Sequence, residues 1–344
     1  MAKRDDDFGM TRLRIHMYQN EKWGRYHLPW YKKFIEYLKT DFDVQVINYN
    51  EDGNTFSGTI NLQSDIGQFG KKPPLSDVDL VVENLENDEF FVLTFTKYFT
   101  SQVVHYLKSD KCLGILCGHF SQRYMYEHLK KNRLLHKLDK VHPWFFGFFQ
   151  EFDVDKYRQI RDTQDKLNDK LYFKGGGWKD NGDPYRSVVR ILHEKGFLDP
   201  NNIPMETYLT ELSKQGIGMS HYMDLDRFTE ANRFPGEMCY RDIEMMSMGV
   251  PYIRIEYKSE IHGAFIPNYH YITIPREDAH RVYDKDGDEG VAKLFIDKYN
   301  EVKNDHDFLK FISKNQRQWY DTYMRWPKSA ELTINKLNIK DWIK

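Results

Sequence analysis

Arg241 and Glu244 stand three residues apart in CYRDIEMMSMGVPYI (239–253), which reads as a helix carrying both in its first turns, then a glycine and proline leading into an apolar strand. Residues i and i+3 share a helical face, and the start of such a helix points out of the sheet's carboxyl end, where open α/β folds bind ligands. A guanidinium suits phosphate oxygens bidentately, while a carboxylate accepts hydrogen bonds from a ribose diol. One helix could thus address both halves of a nucleotide diphosphate. The competing account is an exposed ion pair worth about a few tenths of a kcal/mol.

A second stretch, YFKGGGWKDNGDPYRS (172–187), is a strand running into glycines and then a helix opening near Asp183 or Pro184. Gly175 and Gly176 let a ligand approach the backbone closely, and the helix start offers unpaired N–H groups. Lys174 and Arg186 add charge on either side, so that the loop could cradle a diphosphate; the alternative is a flexible surface turn with solvated charges. It is not a Walker A motif, because no G-K-[ST] follows, nor a G-x-G-x-x-G fingerprint, because Asp180 replaces the third glycine.

The elements that must position these residues alternate along the chain. LRIHMY predicts a strand, PWYKKFIEYLKT a helix with Pro29 at its first position, and DVQVINY the next strand. DVDLVVENL, FFVLTFT, CLGILCG and HPWFFGFF are further apolar runs, with a helix over SQRYMYEHLKKNRLLHKL. This favours a mainly parallel sheet covered by helices. The charged segment EFDVDKYRQIRDTQDKLNDK separates it from a second series. There KLYFKGGGW leads into the helix DPYRSVVRILHEKG, and TYLTELSKQGIGMSHY gives a helix and a strand. VPYIRIEY and NYHYITI are further strands, and helices follow over EGVAKLFIDKYNEV, HDFLKFISKNQRQWYDTYMRW and KSAELTINKLNI.

The order KLYFKG, Arg186, ELSKQGIGMS, Arg241-x-x-Glu244 and MGVPYI resembles the donor-binding half of nucleotide-sugar glycosyltransferases with two Rossmann-like domains, especially the exostosin-like branch. The similarity covers Lys170 to Tyr257. It implies an α/β fold of two Rossmann-like domains facing a central cleft (GT-B-like), with C-terminal helices crossing back to the first domain. The expected boundaries are 1–152 for an acceptor domain, 153–318 for a nucleotide-sugar donor domain and 319–344 for the returning helices, where WYDTYMRW has the aromatic density for packing. By this resemblance Lys174 and Arg186 hold the diphosphate, Arg241 assists and Glu244 holds the ribose, with Gly175, Gly176 and Tyr240 completing the donor set. The serine that the exostosin-like pattern places two residues before the arginine is here Cys239.

In inverting transferases of this architecture a carboxylate or imidazole after the first strand deprotonates the acceptor hydroxyl. Glu21 and His27 in YQNEKWGRYHLPW are the candidates there, and His119 in LCGHFSQR is a third. An ordinary packing contact is the competing account of each histidine. The implied activity is transfer of a sugar from a nucleotide diphosphate donor to a glycan or other hydroxyl acceptor, inverting and independent of metal. The nucleotide sugar is a co-substrate, and no cofactor is expected. The alternatives are a non-catalytic nucleotide- or glycan-binding protein on the same fold and a metal-dependent D-x-D transferase.

D-x-D pairs occur at Asp77/Asp79, Asp153/Asp155, Asp224/Asp226, Asp284/Asp286 and Asp286/Asp288, as chance allows in a chain this acidic. SDVDLVV places its pair before a strand rather than at its end, and DKDGDEG departs from a calcium loop at Glu289 and Phe295, so no metal site is expected.

The whole composition narrows the classes. A chain of 344 residues exceeds the ~250–300 at which single cores stop growing, favouring two domains. Its 50 basic and 52 acidic residues leave a net charge of −2 and no global field for a polyanion, so nucleic acid is not the expected partner. Aromatic residues make up 15%, enough to line a pocket for flat rings or sugars. Cys112, Cys117 and Cys239 are odd in number without C-x-x-C spacing, and no apolar run approaches a membrane span of ~20 residues, so a soluble cytoplasmic protein is expected.

Overall fold

The structure, a computed structural model, describes residues 10–18, 24–49, 80–94, 106–117, 122–143, 152–174, 184–200, 203–220, 239–257 and 265–342. The chain divides into two compact units, Met1–Glu151 with Met324–Lys344, and Phe152–Tyr323. Both are α/β.

In the first unit β1 (Arg12–Tyr18), α1 (Gly24–Leu38) and β2 (Asp43–Tyr49) form a parallel strand-helix-strand unit. Helix α1 begins upstream of Pro29, which lies inside it rather than at its first position. The missing proline N–H forgoes a single early bond, to the carbonyl of Arg25. Strands β3 (Leu80–Asn84), β4 (Phe90–Thr94), β5 (Cys112–Cys117) and β6 (Val141–Pro143) complete a sheet of order β2-β1-β3-β4-β5-β6. It is parallel except for β3, which runs against both neighbours. Too few residues separate β3 from β4 for a helical crossover, so the chain turns back through a tight loop, with Asp88 at φ 60° and Asn84 Oδ1 accepting the Glu86 N–H at 2.9 Å. Helix α2 (Gln122–Lys131) stops short of the expected span; Arg133 at φ 60° breaks it before a 3-10 segment, Leu135–Lys140.

The end of the chain builds on this unit. Helix α9 (Lys328–Leu337) sets Ser329 Oγ 3.1 Å from Trp30 Nε1, which donates to it. Trp342 donates to Glu89 at 2.8 Å, and its carbonyl accepts from Thr11 Oγ1 at 2.7 Å. The aromatic stretch over 319–326 is divided: Trp326 meets Tyr37 edge-on at 5.8 Å in this unit, while Trp319 packs on Phe265 at 4.4 Å in the other.

The second unit opens on α3 (Val154–Asp162), inside the charged segment expected to separate the two series, so that segment is partly structural. Buried Arg161 donates to the Gln215 carbonyl. Strands β7 (Asn168–Tyr172), β8 (Gln215–Met219), β9 (Tyr252–Ile255) and β10 (Ile272–Ile274) pair in chain order, all parallel. Helices α4 (Pro184–Glu194) and α5 (Met205–Ser213) connect β7 to β8, and α6 (Tyr240–Met248) connects β8 to β9. The chain then enters α7 (Arg276–Val302), longer than expected and kinked at Gly287 (φ 61°), and α8 (His306–Tyr323), which runs unbroken through the expected boundary at 319. Asp284, Asp286 and Asp288 lie on α7, not in a loop.

Two glycines fix α6 in place. A Cβ at Gly218 would fall 2.3 Å from Met245 Sδ, so the glycine leaves room for that methionine of the helix to pack against β8. Gly249, at φ 75°, ends α6 in the left-handed conformation. The last carbonyls are taken by cations and a hydroxyl: Arg158 Nε donates to Ser247 O (2.6 Å), Arg317 Nε to Met248 O (2.9 Å) and Ser313 Oγ to Gly249 O (2.6 Å). Positive charge at this end complements the helix dipole.

Candidate functional site

The parallel β8–α6–β9 connection places the first turn of α6 at the carboxyl ends of the strands, next to the end of β7. Cys239 and Asp242 cap it: the Cys239 N–H donates to Asp242 Oδ2 at 2.8 Å. The same oxygen accepts from Arg254 on β9, and both side chains are buried, at 0% and 3% exposure. Arg254 lies over the Tyr257 ring at 3.7 Å. Burial opposes its charge and Asp242 more than offsets that, so the guanidinium pKa stands above its ordinary value.

On this base Arg241 and Glu244 diverge. Arg241 donates through Nη2 to the Lys174 carbonyl and lies over the Phe173 ring at 4.2 Å, bracing the end of β7. Its Nε is buried without a hydrogen-bond partner among the described residues. Among those residues no carboxylate forms an ion pair with it within 4.0 Å, so the surface ion pair with Glu244 is not what the helix builds. Glu244 is 5% exposed and accepts from the Tyr208 hydroxyl at 2.6 Å through Oε2. Its Oε1 has no hydrogen-bond partner among the described residues. Burial raises its carboxyl pKa, while the Tyr208 hydrogen bond and the Arg241 charge pull the other way. The arrangement thus holds a cation with an unspent donor and a carboxylate with an unspent acceptor on one helical turn.

The other expected residues are distributed as follows. The Lys174 ammonium is 2.9 Å from Asp199, so its charge is already engaged and its carbonyl anchors Arg241. Tyr240 is the half-buried first residue of α6. Arg186 lies in the first turn of α4 and His27 in that of α1; their side chains are outside the described residues, as are Gly175, Gly176, Glu21 and His119. The Cys239 sulfur lies 3.5 Å from Ser220 Oγ, and burial, with Asp242 beside it, pushes the thiol up to about 11, so it stays protonated.

Sequence reasoning did not find Asp242, Arg254, Tyr208 or Phe173. Asp242 carried a local signal, an acid three residues after a helix-opening position. Tyr208 is 36 residues from Glu244 and carried none. In the first unit it also missed His16 and Glu83, 3.4 Å apart and at 0% and 1% exposure, with Arg14 3.7 Å from the same carboxylate. Arg14, His16 and Glu83 share one sheet face through the β1–β3 register. At that burial His16 is sealed from any acceptor.

Among the described residues no group of three or more His, Cys, Asp or Glu is arranged to hold a metal ion, and no helix is long and apolar enough to cross a membrane.

No family model and no curated protein matches the sequence. Among solved structures, sucrose-phosphate synthase from Thermosynechococcus elongatus is similar at 11% identity over 98% of this chain and 96% of that one, with a TM-score of 0.49. HepE of Anabaena in complex with UDP is similar at 10% identity over 94% and 91%, with a TM-score of 0.44. A glycosyltransferase from Rickettsia africae is similar at 12% identity over 73% and 70%, with a TM-score of 0.43. These likenesses are distant, and the roles of individual residues rest on this chain's own geometry.

Proposed function

We propose that the chain is a nucleotide-sugar glycosyltransferase of GT-B architecture with an exostosin-like donor half, and that the first turns of α6 hold the nucleotide diphosphate. The observation that carries this reading is the Arg241–Glu244 pair: the two share a helical turn yet form no ion pair within 4.0 Å, and the buried Nε of the one and Oε1 of the other are unused among the described residues. In a structural pair these groups satisfy one another. Here they are left for a ligand with anionic and hydroxyl parts. Arg241 and Arg186 address the diphosphate, and Glu244 the ribose. Charge grows on the departing diphosphate in the transition state, so fixed cations and helix N–H groups there lower the barrier without a metal. The acceptor base comes from the segment after β1, at Glu21 or His27, with His119 as the further candidate. A single displacement then inverts the sugar's configuration. No cofactor is involved, and a reducing, cytoplasmic setting suits the free thiols.

The test is release of nucleoside diphosphate from a panel of nucleotide sugars mixed with hydroxyl acceptors. Turnover that survives chelator is expected. Turnover abolished by chelator would replace the reading with a metal-dependent transferase, and binding without turnover would replace it with a nucleotide-binding protein. Arg186→Ala is expected to weaken nucleoside diphosphate binding about tenfold, the low end for a charged hydrogen bond, with the melting temperature unchanged. Unchanged affinity in calorimetry would remove Arg186 from the site.

A further inference from the structure

We propose that Tyr208 is a positioning residue of the donor site: its hydroxyl holds Glu244 Oε2 at 2.6 Å, leaving Oε1 for the ligand, and so sets the preference for a ribose over a 2′-deoxyribose. The inference rests on the reading of Glu244 as the ribose acceptor. Tyr208 and Glu244 are 8% and 5% exposed, so neither competes with bulk water for the other. The tyrosine is itself fixed. Its ring stacks on that of Tyr172, with centroids 6.1 Å apart and planes at 25°. The Tyr172 hydroxyl in turn donates to Glu211, one helical turn beyond Tyr208 on α5, at 3.3 Å. Burial and the Glu244 charge keep the Tyr208 phenol protonated, so it acts only as a donor to the carboxylate.

A carboxylate free to rotate could offer either oxygen in many directions. One clamped through Oε2 offers Oε1 in a single direction, which is what discrimination between two sugars differing by one hydroxyl requires. The clamp also bears on ionisation. Among the described residues, the ionisable groups around Glu244 are Tyr208 from α5, Tyr172 from β7, and Arg241 and Asp242 from its own helix. Arg158 of α3 and Arg317 of α8 are bonded instead to the carbonyls at the far end of α6. Losing the Tyr208 hydrogen bond removes the larger of the two influences that oppose burial, so Glu244 takes up its proton at higher pH.

The experiment is calorimetry of wild type and Tyr208→Phe with UDP, GDP, ADP and CDP and their 2′-deoxy forms, each across a pH series. For whichever base binds, Y208F is expected to lose about tenfold in affinity for the ribo form and less for the deoxy form, and to lose binding at a higher pH than wild type as the solution is acidified. In a Glu244→Gln background Y208F should cause no further loss and should recover part of the affinity for the ribo form, because without the hydroxyl the amide is free to turn its oxygen to the ligand. Tyr172→Phe, which touches Glu211 and not Glu244, should leave the ribo-to-deoxy ratio as it is. Should Y208F fail to fold, 3-fluorotyrosine at 208 keeps the ring, strengthens the donor and is expected to raise the ratio. A wild type that binds while Y208F or the fluorinated protein keeps its ratio and pH profile would overturn this inference alone. A wild type that binds no nucleoside diphosphate would overturn the donor-site reading itself.

Discussion

Asp242→Asn is expected to destabilise the second unit by ~3–5 kcal/mol, the cost of leaving one member of a buried ion pair without its partner. For a unit of this size that lowers the melting temperature by about 6–20 °C. Asparagine keeps the shape of the side chain and an oxygen for the Cys239 N–H, so what is lost is the counter-charge of Arg254. That guanidinium is 3% exposed, and an arginine side chain does not deprotonate in a protein, so it cannot shed its proton to relieve the loss. Arg254→Met added to D242N should recover at least half of the lost stability, because two neutral groups in the same space need no pairing. Thermal unfolding of the two single variants and the double variant checks this. A loss under ~1 kcal/mol for D242N would mean that the pair behaves as an exposed one.

Glu244→Gln is expected to weaken ribonucleoside diphosphate binding about tenfold to a hundredfold, the range for a charge-assisted hydrogen bond of ~1.5–3 kcal/mol. The direction follows from Tyr208. Its hydroxyl donates at 2.6 Å, so it selects the amide oxygen of glutamine and turns the NH2 group to the position of Oε1. The ligand then meets a donor where it had a charged acceptor. With a 2′-deoxy ligand the loss should shrink, since one of the two ribose donors is absent. Calorimetry with both ligands decides it: equal losses for the ribo and deoxy forms would remove Glu244 from ribose binding.

How far the sequence carried these conclusions depended on the range of the interactions involved. Strand β7 and helix α4, and the passage from α6 through Gly249 to β9, are written in local turn chemistry and apolar runs, and these elements form where expected. The i,i+3 relation of Arg241 and Glu244 is likewise local. The reversal of β3 was also legible, since only a short Asn- and Asp-containing segment follows it, but the alternation of apolar runs outweighed that signal. The early start of α7 was not: its first half is strongly charged, and the kink at Gly287 separates it from the apolar half that announces a helix. The lysine flanking the glycine loop looked free because its partner Asp199 lies 25 residues on. Tyr208 and Arg254 reach the site only through the pairing of β7, β8 and β9, which no local pattern encodes.

The measurement that bears most directly on the central claim is equilibrium titration of the wild-type protein, with chelator present, against nucleoside diphosphates and the matching monophosphates. The unspent Arg241 donor beside the unpartnered Glu244 oxygen, with Arg186 on the neighbouring helix start, predicts saturable binding that favours the diphosphate at least tenfold, because the second phosphate adds charged hydrogen bonds that the first alone does not make. No binding, or equal affinity for the monophosphate, would contradict the assignment of the α6 turn as a diphosphate site.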